Sequence, residues 1–377
     1  MQRLFCVFLI IVLVSCERKA GEKSEEIYAE IHISIDTVMV DSGNEILMAA
    51  TGSYGHVISS DLDRLYYWDP NSSKLEIIDL DEFQLLEKIS FEKEGPNGVG
   101  QYANTLSTYR EDQLAFIGWD DRIAISSLDG EVIQRIKLDE PWMVEDFEDN
   151  GSLSFKGFSE DGKKIYCGFL NFKKLDSDIL ELDLENQTKK VLRLAEFDKL
   201  DQFRVSWTSD DGNAMSMSHP SLDITTWNGH KLIYTNILNS VYRYDPQRDS
   251  LQLLSYSSSL TPNEKSGTYK NDVSTQNEVQ EISAKIREEV NFTQLVWDKE
   301  NEVFYRFTYF LLPKVADEQT KQRSFISILN ADLELIKEKE ITELGFKFPN
   351  PQFVKEGKIY FPLNLEDELA YVRMQIE

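Results

Sequence analysis

The sequence predicts an all-β fold: a six-bladed β-propeller closed by its N-terminal strand, with one inserted helix. Three observations carry this. Short strand-like runs separated by turns rich in Asn, Asp, Pro and Gly recur along the chain. Equivalent positions, Leu65, Leu114, Ile165, Leu232, Val303 and Ile359, return every ~50–70 residues, at or above the roughly 40–50 of a four-stranded blade. Aromatic residues make up 11% of the 377 residues, and flat rings suit a pleated surface. A pair of β-sandwiches is the rival fold, but nothing in a sandwich requires a repeat of this period.

The first element, residues 1–15, reads as a bacterial lipoprotein signal peptide. Arg3 is followed by the apolar run Leu4 to Val14, then by Ser15 and Cys16. The run is shorter than the about 20 apolar residues that cross a bilayer and has the size of a secretory core. The expected chemistry is a thioether from the Cys16 sulfur to diacylglycerol, cleavage before Cys16 and acylation of the new amino terminus. More than one acyl chain makes stable anchoring plausible where a single chain is marginal. Residues 16–26, charged and without apolar periodicity, form a lipidated tether. The propeller then occupies 27–377.

From Ile27 to Val40 the chain alternates, with Ile27, Ala29, Ile31, Ile33 and Ile35 on one side, as a half-buried strand does. The first full unit runs through Asp63–Asn71, Leu75–Asp81 and Leu85–Ile89: strand, turn, strand, Asp-bearing turn, strand. Further units begin at Gln113, Lys164, Lys231 and Glu302. The sixth begins at Lys358, too near Glu377 for a whole blade, so the N-terminal strand is expected to complete it and remove free sheet edges. Residues 257–290 interrupt the pattern. A polar stretch leads into Gln276–Val290, where Val279, Ile282, Ile286 and Val290 keep helical spacing. An insertion of this kind is either a binding surface or a capping helix.

Several segments resemble known propellers. Phe158–Tyr166, with Asp161-Gly162 as its turn, resembles the inter-strand segment of TolB-like six-bladed propellers. Glu94–Tyr102, with Gly95 and Pro96, resembles the segment between blades in NHL-like propellers. With the Cys16 motif, and with Leu295–Asp298 and Phe304–Phe307 after the helix, the whole mature chain resembles an uncharacterised family of Bacteroidetes six-bladed propeller lipoproteins. The resemblance implies fold and an envelope location, the outer membrane being the expected one. It transfers no catalytic residue.

The composition excludes some functions. A formal net charge of -26 argues against nucleic acid, whose binders cluster Lys and Arg, and against a polybasic grip on lipid. An acidic surface attracts cations or basic partners, or simply keeps the protein soluble. With Cys6 removed and Cys16 lipidated, Cys167 stands alone in a strand pattern and is expected to be a buried, inert thiol. The four histidines show no zinc-binding spacing. No nucleophile elbow, Walker loop or dinucleotide fingerprint occurs.

Six residues remain as ligand-binding candidates. His219 lies in a polar stretch between Trp207 and Trp227, where a loop between blades can line the central funnel, and Trp207 accompanies it. Arg110, Arg204, Arg243 and Arg306 hold similar places in different blades. Either they ring the channel and take an anion, or they form salt bridges between blades. Asp61/Asp63, Asp120-Asp121 and Asp210-Asp211 leave calcium as the one cofactor worth considering, against a purely structural role in turns. Thr208–Met215 partly matches the turn of sialidases, which is structural. The expected function is therefore an envelope-anchored lipoprotein whose propeller binds a protein, peptide or glycan. The alternative is a hydrolase or lyase with a metal in the funnel, an inference from fold alone.

Overall fold

All six repeat positions fall at equivalent places. Leu65, Leu114, Ile165, Leu232, Val303 and Ile359 each lie on the second strand of a four-stranded antiparallel sheet, and each is at most 2% exposed. The computed structural model describes residues 31–48, 55–110, 112–145, 151–171, 175–313, 321–346, 350 and 352–377. Cys16, the signal peptide and the tether lie outside these residues.

Among the described residues the first strand is β1 (Ile33–Met39), and blade 1 follows as β2 (His56–Ile58), β3 (Arg64–Asp69), β4 (Lys74–Asp79) and β5 (Gln84–Ser90). Blade 2 is β6 (Ala103–Arg110), β7 (Gln113–Gly118), β8 (Arg122–Ser127) and β9 (Val132–Lys137). A short helix, α1 (Pro141–Val144), leads to blade 3: β10 (Gly151–Phe158), β11 (Lys164–Asn171), β12 (Ile179–Asp183) and β13 (Thr188–Leu192). A 3-10 helix (Ala195–Phe203) and a hairpin of β14 (Val205–Thr208) and β15 (Met215–Ser218) precede blade 4, which is β16 (Leu222–Trp227), β17 (His230–Thr235), β18 (Val241–Asp245) and β19 (Ser250–Leu254). The inserted helix α2 (Gln276–Glu288) precedes blade 5: β20 (Asn291–Asp298), β21 (Val303–Leu311), β22 (Gln322–Leu329) and β23 (Leu335–Glu340). Blade 6 takes β24 (Phe353–Lys355), β25 (Lys358–Leu365) and β26 (Glu368–Ile376) from the C-terminus and β1 as its outermost strand, in the order β1-β26-β25-β24.

The turns explain the repeat. In five hairpins an Asp ends a strand and its Oδ1 accepts the backbone N–H two residues on: Asp69 from Asn71, Asp79 from Asp81, Asp183 from Glu185, Asp245 from Gln247 and Asp298 from Glu300. Four residues after each Asp the chain takes a positive φ, at Ser73, Phe83, Gln187, Asp249 and Glu302. A short polar side chain that bonds its own backbone drives such a turn, and the left-handed residue re-aims the next strand. A second turn, Ser-x-Asp, recurs at Ser59–Asp61, Ser159–Asp161 and Ser209–Asp211. The last two are superposable in bonding: the Ser hydroxyl donates to the Asp at 2.6 Å in both.

Aromatic residues fill the seams between blades. Trp68 of β3 donates its indole N–H to Ala103 O of blade 2 at 2.9 Å and packs edge-on against Phe116. Trp227 meets Trp297 and Phe304 between blades 4 and 5, and Phe83 stacks on Tyr360 between blades 1 and 6. Such pairs add about 0.5–1.5 kcal/mol each beyond the area they bury.

Three details differ from the expectation or refine it. Ile35 is 40% exposed rather than inward, because β1 is an outermost strand with little to cover it. The hairpin β14–β15 is a separate two-stranded sheet, where the sequence shows only a polar, turn-rich stretch. The helix α2 ends at Glu288 and starts from a capping box, in which Thr275 accepts from Glu278 N–H and Glu278 accepts from Thr275 N–H. Its buried Val279 and Ile286 join a cluster with Leu200, Phe203 and Val205, so α2 and the hairpin hold each other against the ring.

Candidate functional site

The first strand of each blade is innermost. β2 approaches β6, β10 approaches β16 and β20 approaches β24. Because an innermost strand has packing on one side and the channel on the other, its channel-facing residues can be polar. Thr105 and Ser107 of β6, Lys156 of β10, Asp223 of β16 and Gln294 of β20 line a cavity of about 640 Å³. Phe155, Phe292, Tyr234 and Tyr309 supply its apolar wall. An ion pair joins Lys156 Nζ to Asp223 Oδ1 there at 3.7 Å, across blades 3 and 4.

Where β6 ends, the channel opens into a wider vestibule of about 980 Å³, built from the turns between first and second strands of blades 1 to 4. Asp61, Asp63, Asp112 and Glu160 meet Arg64, Arg110 and Lys231 there, beside Tyr66, Tyr109 and Phe158. Two cations grip the same turn of blade 3 from opposite neighbours. From blade 2, the Arg110 guanidinium donates to Asp161 O through Nε at 3.1 Å and Nη2 at 2.8 Å, and lies 4.9 Å from the Tyr109 ring centre. From blade 4, Lys231 Nζ donates to Phe158 O and Thr226 Oγ1, each at 2.7 Å, and sits 5.1 Å from the Tyr166 ring centre. Lys231 is 3% exposed, and burial pulls its ammonium down to about 8. Gly162 permits this packing: its φ is +69°, and a Cβ there would stand 2.7 Å from the Tyr109 ring.

Of the six candidate residues, the vestibule takes Arg110 alone. The four arginines do not form a ring around the channel. Arg306, 0% exposed, lies behind the channel wall with its guanidinium 5.1 Å from the Phe292 ring centre. It donates to the carbonyls of Thr293, Thr235, Leu238 and Asn239 and so ties blade 5 to blade 4. Arg204 is buried and bonds Asp201, Ser206 and Asp272 beside the β14–β15 hairpin. Arg243 reaches Gln252 and, across to blade 5, Asp332 at 3.5 Å. Arg243 makes a salt bridge between blades of the kind that the sequence leaves open as the second reading, whereas Arg306 joins blades through carbonyls and Arg204 pairs with acids beside the hairpin. Trp207 lies on β14 and packs on the α2 cluster, and His219 follows β15 with its Nδ1 2.8 Å from Pro220 O. Neither lines the channel or the vestibule.

The paired acids serve turns. Asp61 accepts from Asp63 N–H and Asp211 accepts from Ser209 and Asn213. Among the described residues, no group of three His, Cys, Asp or Glu is placed to hold a metal ion. Cys167 is buried between blade strands, where desolvation pushes its thiol well above the ordinary range. Among the described residues no helix is long and apolar enough to cross a membrane. Lys231 escaped sequence reasoning: a lone lysine before an apolar strand run carries no signal until the fold buries it.

A family model for a domain of unknown function, DUF4221, matches residues 28–340. The chain belongs to the DUF4221 family. A crystal structure of a DUF4221 member from Bacteroides vulgatus is similar at 16% identity and a TM-score of 0.63, covering 92% of this chain and 99% of that one. A candidate exported protein of Bacteroides fragilis is similar at 10% identity and a TM-score of 0.53, covering 92% of this chain and 95% of that one. At these identities the likeness is one of fold. A search of curated proteins finds no match. The DUF4221 propeller therefore has a shared architecture, and its activity has to be argued from its own channel and vestibule.

Proposed function

We propose that this DUF4221 chain is an envelope-anchored lipoprotein whose propeller is a binding module, with the vestibule as the seat for an exposed segment of a protein or peptide partner. One observation carries the reading. The vestibule is a large recess with aromatic walls and charges of both signs, and two of its cations are fixed in place by hydrogen bonds to backbone carbonyls. A peptide offers apolar, acidic and basic groups together, which matches such a lining better than a uniformly charged ligand does. Lys231 bonds Phe158 O and Thr226 Oγ1, Glu160 of the same recess is the carboxylate that favours its charge, and an acidic group of the partner would reinforce that effect on a desolvated ammonium. A glycan partner is the next choice for the same recess. Export of the Bacteroides fragilis relative in fold agrees with an envelope location, and Cys16 supplies the anchor.

Capture from envelope extracts tests the reading, with the native chain and with Arg110→Ala and Lys231→Met variants as baits. The expected result is a partner retained by the native chain and lost with both variants. Retention of the same proteins by all three, or by none, sinks the vestibule as a binding site. Metabolic labelling with a fatty-acid analogue tests the anchor: label is expected on the native chain and not on Cys16→Ala.

A further inference from the structure

At the far end of β6 from Arg110, the ladder of blade 2 closes on the pair Ala103 and Gly118. The next residues outward are Tyr102 and Trp119, and the antiparallel geometry continues for one more step, with Trp119 N–H donating to Tyr102 O at 3.4 Å. Residues opposed in this way send their side chains to one side of the sheet, with Cβ atoms about 4.5–5.5 Å apart. Tyr102 and Trp119 thus stand on facing positions at the end of the blade. Both are open to solvent: Trp119 is 83% exposed and Tyr102 57%. The other five tryptophans, Trp68, Trp142, Trp207, Trp227 and Trp297, are buried or half-buried. A single exposed ring needs no explanation, but two on facing positions make one apolar patch.

The surroundings of the two rings narrow the choice of ligand. After Trp119 the chain turns sharply, with Asp121 at φ 58°. Asp120 folds back beside the strand, where a Cβ at Gly118 would stand 2.4 Å from its Oδ1. Arg122 Nε lies 3.4 Å from Asp120 Oδ2. The turn that begins at Trp119 thus carries a carboxylate acceptor and a guanidinium donor. Two aromatic side chains offer at most about 150–250 Å² each, well below the roughly 800 Å² per partner of a stable protein interface. The core of such an interface is also depleted in charge. A sugar ring fits better on all counts. Its C–H face meets the electron-rich face of an aromatic ring, and its hydroxyls both donate to Asp120 and accept from Arg122. The net charge of -26 disfavours a polyanionic chain.

We propose that Tyr102 and Trp119 form a platform for a neutral saccharide, at the end of blade 2 opposite the vestibule. The platform stands independently of the vestibule reading, since it shares no residue with it.

The experiment uses the full chain in a zwitterionic detergent without a sugar headgroup. The probes are neutral hexasaccharides of β-1,4-glucose, β-1,3-glucose, α-1,4-glucose, mannose and N-acetylglucosamine, with an alginate hexamer as the anionic control. Trp119 is the most exposed tryptophan, so acrylamide quenches it the most. At least one neutral probe is expected to protect it from quenching. By calorimetry, Trp119→Ala and Tyr102→Ala each weaken that probe by about tenfold or more. Trp119→Phe, which keeps a ring, stays within about threefold of native. Circular dichroism checks that the variants keep the native fold. Absence of protection by every neutral probe overturns the proposal, as does equal affinity in Trp119→Ala or tighter binding of the alginate hexamer.

Discussion

Asp36 and Arg373, 337 residues apart, face each other across the ladder of β1 and β26 and are joined by two hydrogen bonds. Arg373 Nε donates at 2.8 Å and Nη2 at 2.6 Å. This is the seam where the ring closes on itself. The guanidinium holds the Asp36 carboxyl below its ordinary value of 3.8. Backbone bonds around it complete the seam, including Val40 N–H to Leu369 O at 2.9 Å and the two-way pair between His32 and Glu377.

The seam predicts a separation between ion pair and strand. The Asp36 side chain is 56% exposed, so the pair contributes at most about 1 kcal/mol. Asp36→Ala is expected to lower unfolding free energy by about 0.5 kcal/mol at pH 7. Because the folded pKa is depressed, that contribution is present above the unfolded value of 3.8 and is lost as pH falls through the folded one. Removing residues 1–40 instead exposes the edge of β26 and leaves Tyr371 and Met374 short of cover, with a much larger loss and aggregation. Urea unfolding of both variants at pH 7 and pH 3 checks this. Equal damage from the two would mean that the strand itself adds nothing.

Arg306 predicts a second, larger effect. Its three nitrogens serve four carbonyls in two blades, and its aliphatic stem and ring contact fill the seam. Arg306→Met keeps most of the volume but leaves carbonyls of Thr235, Asn239 and Thr293 buried without donors, for a loss of about 3–5 kcal/mol. Arg306→Lys recovers little, because one ammonium cannot span positions that a planar fork reaches. Denaturant midpoints measure both. A loss under about 1 kcal/mol for Arg306→Met would show that water or relaxed backbone satisfies those carbonyls.

What could be read from the sequence follows from where each strand sits. Leu65, Leu114, Ile165, Leu232, Val303 and Ile359 belong to second strands, which are buried on both sides and so carry the strongest apolar signal. The Asp-led turns at Asp69, Asp79, Asp183, Asp245 and Asp298 are equally visible, because the side chain that makes each turn is in the sequence. The innermost strands are not. β6, with Asn104, Thr105, Ser107 and Thr108, faces the channel on one side and lacks a clean apolar alternation. The channel was therefore located by fold and not by motif. The arginines misled for a related reason. Their similar places in the sequence do not carry over to the fold: Arg110 ends β6, Arg204 precedes β14, Arg243 lies on β18 and Arg306 on β21, and their side chains serve different places, Arg306 the blade 4–5 core, Arg204 the hairpin and Arg243 the outer edge. Only Arg110 stands at a turn that opens on the vestibule. Thr275 and Glu278, by contrast, spell out the start of α2 directly.

Lys231 gives the last prediction, and its sign is the reverse of that for Asp36. Burial lowers its pKa from 10.5 to about 8. Below about pH 8 both folded and unfolded chains hold the proton, and the folded chain bears the cost of a desolvated charge. Between about 8 and 10.5 the unfolded chain keeps the proton while the folded chain releases it, so the native state gains relative stability as pH rises through that window. Lys231→Met cannot titrate. The stability of the native chain relative to this variant is therefore expected to increase by on the order of 2 kcal/mol from pH 7 to pH 10. Urea unfolding of the pair at half-unit pH steps reads the difference directly, and a flat difference would mean that the ammonium is hydrated rather than buried. If an acidic group of a partner docks beside Lys231, it favours the charged amine, so the same partner must bind more weakly above about pH 8 than below it, and Lys231→Met must lose that dependence.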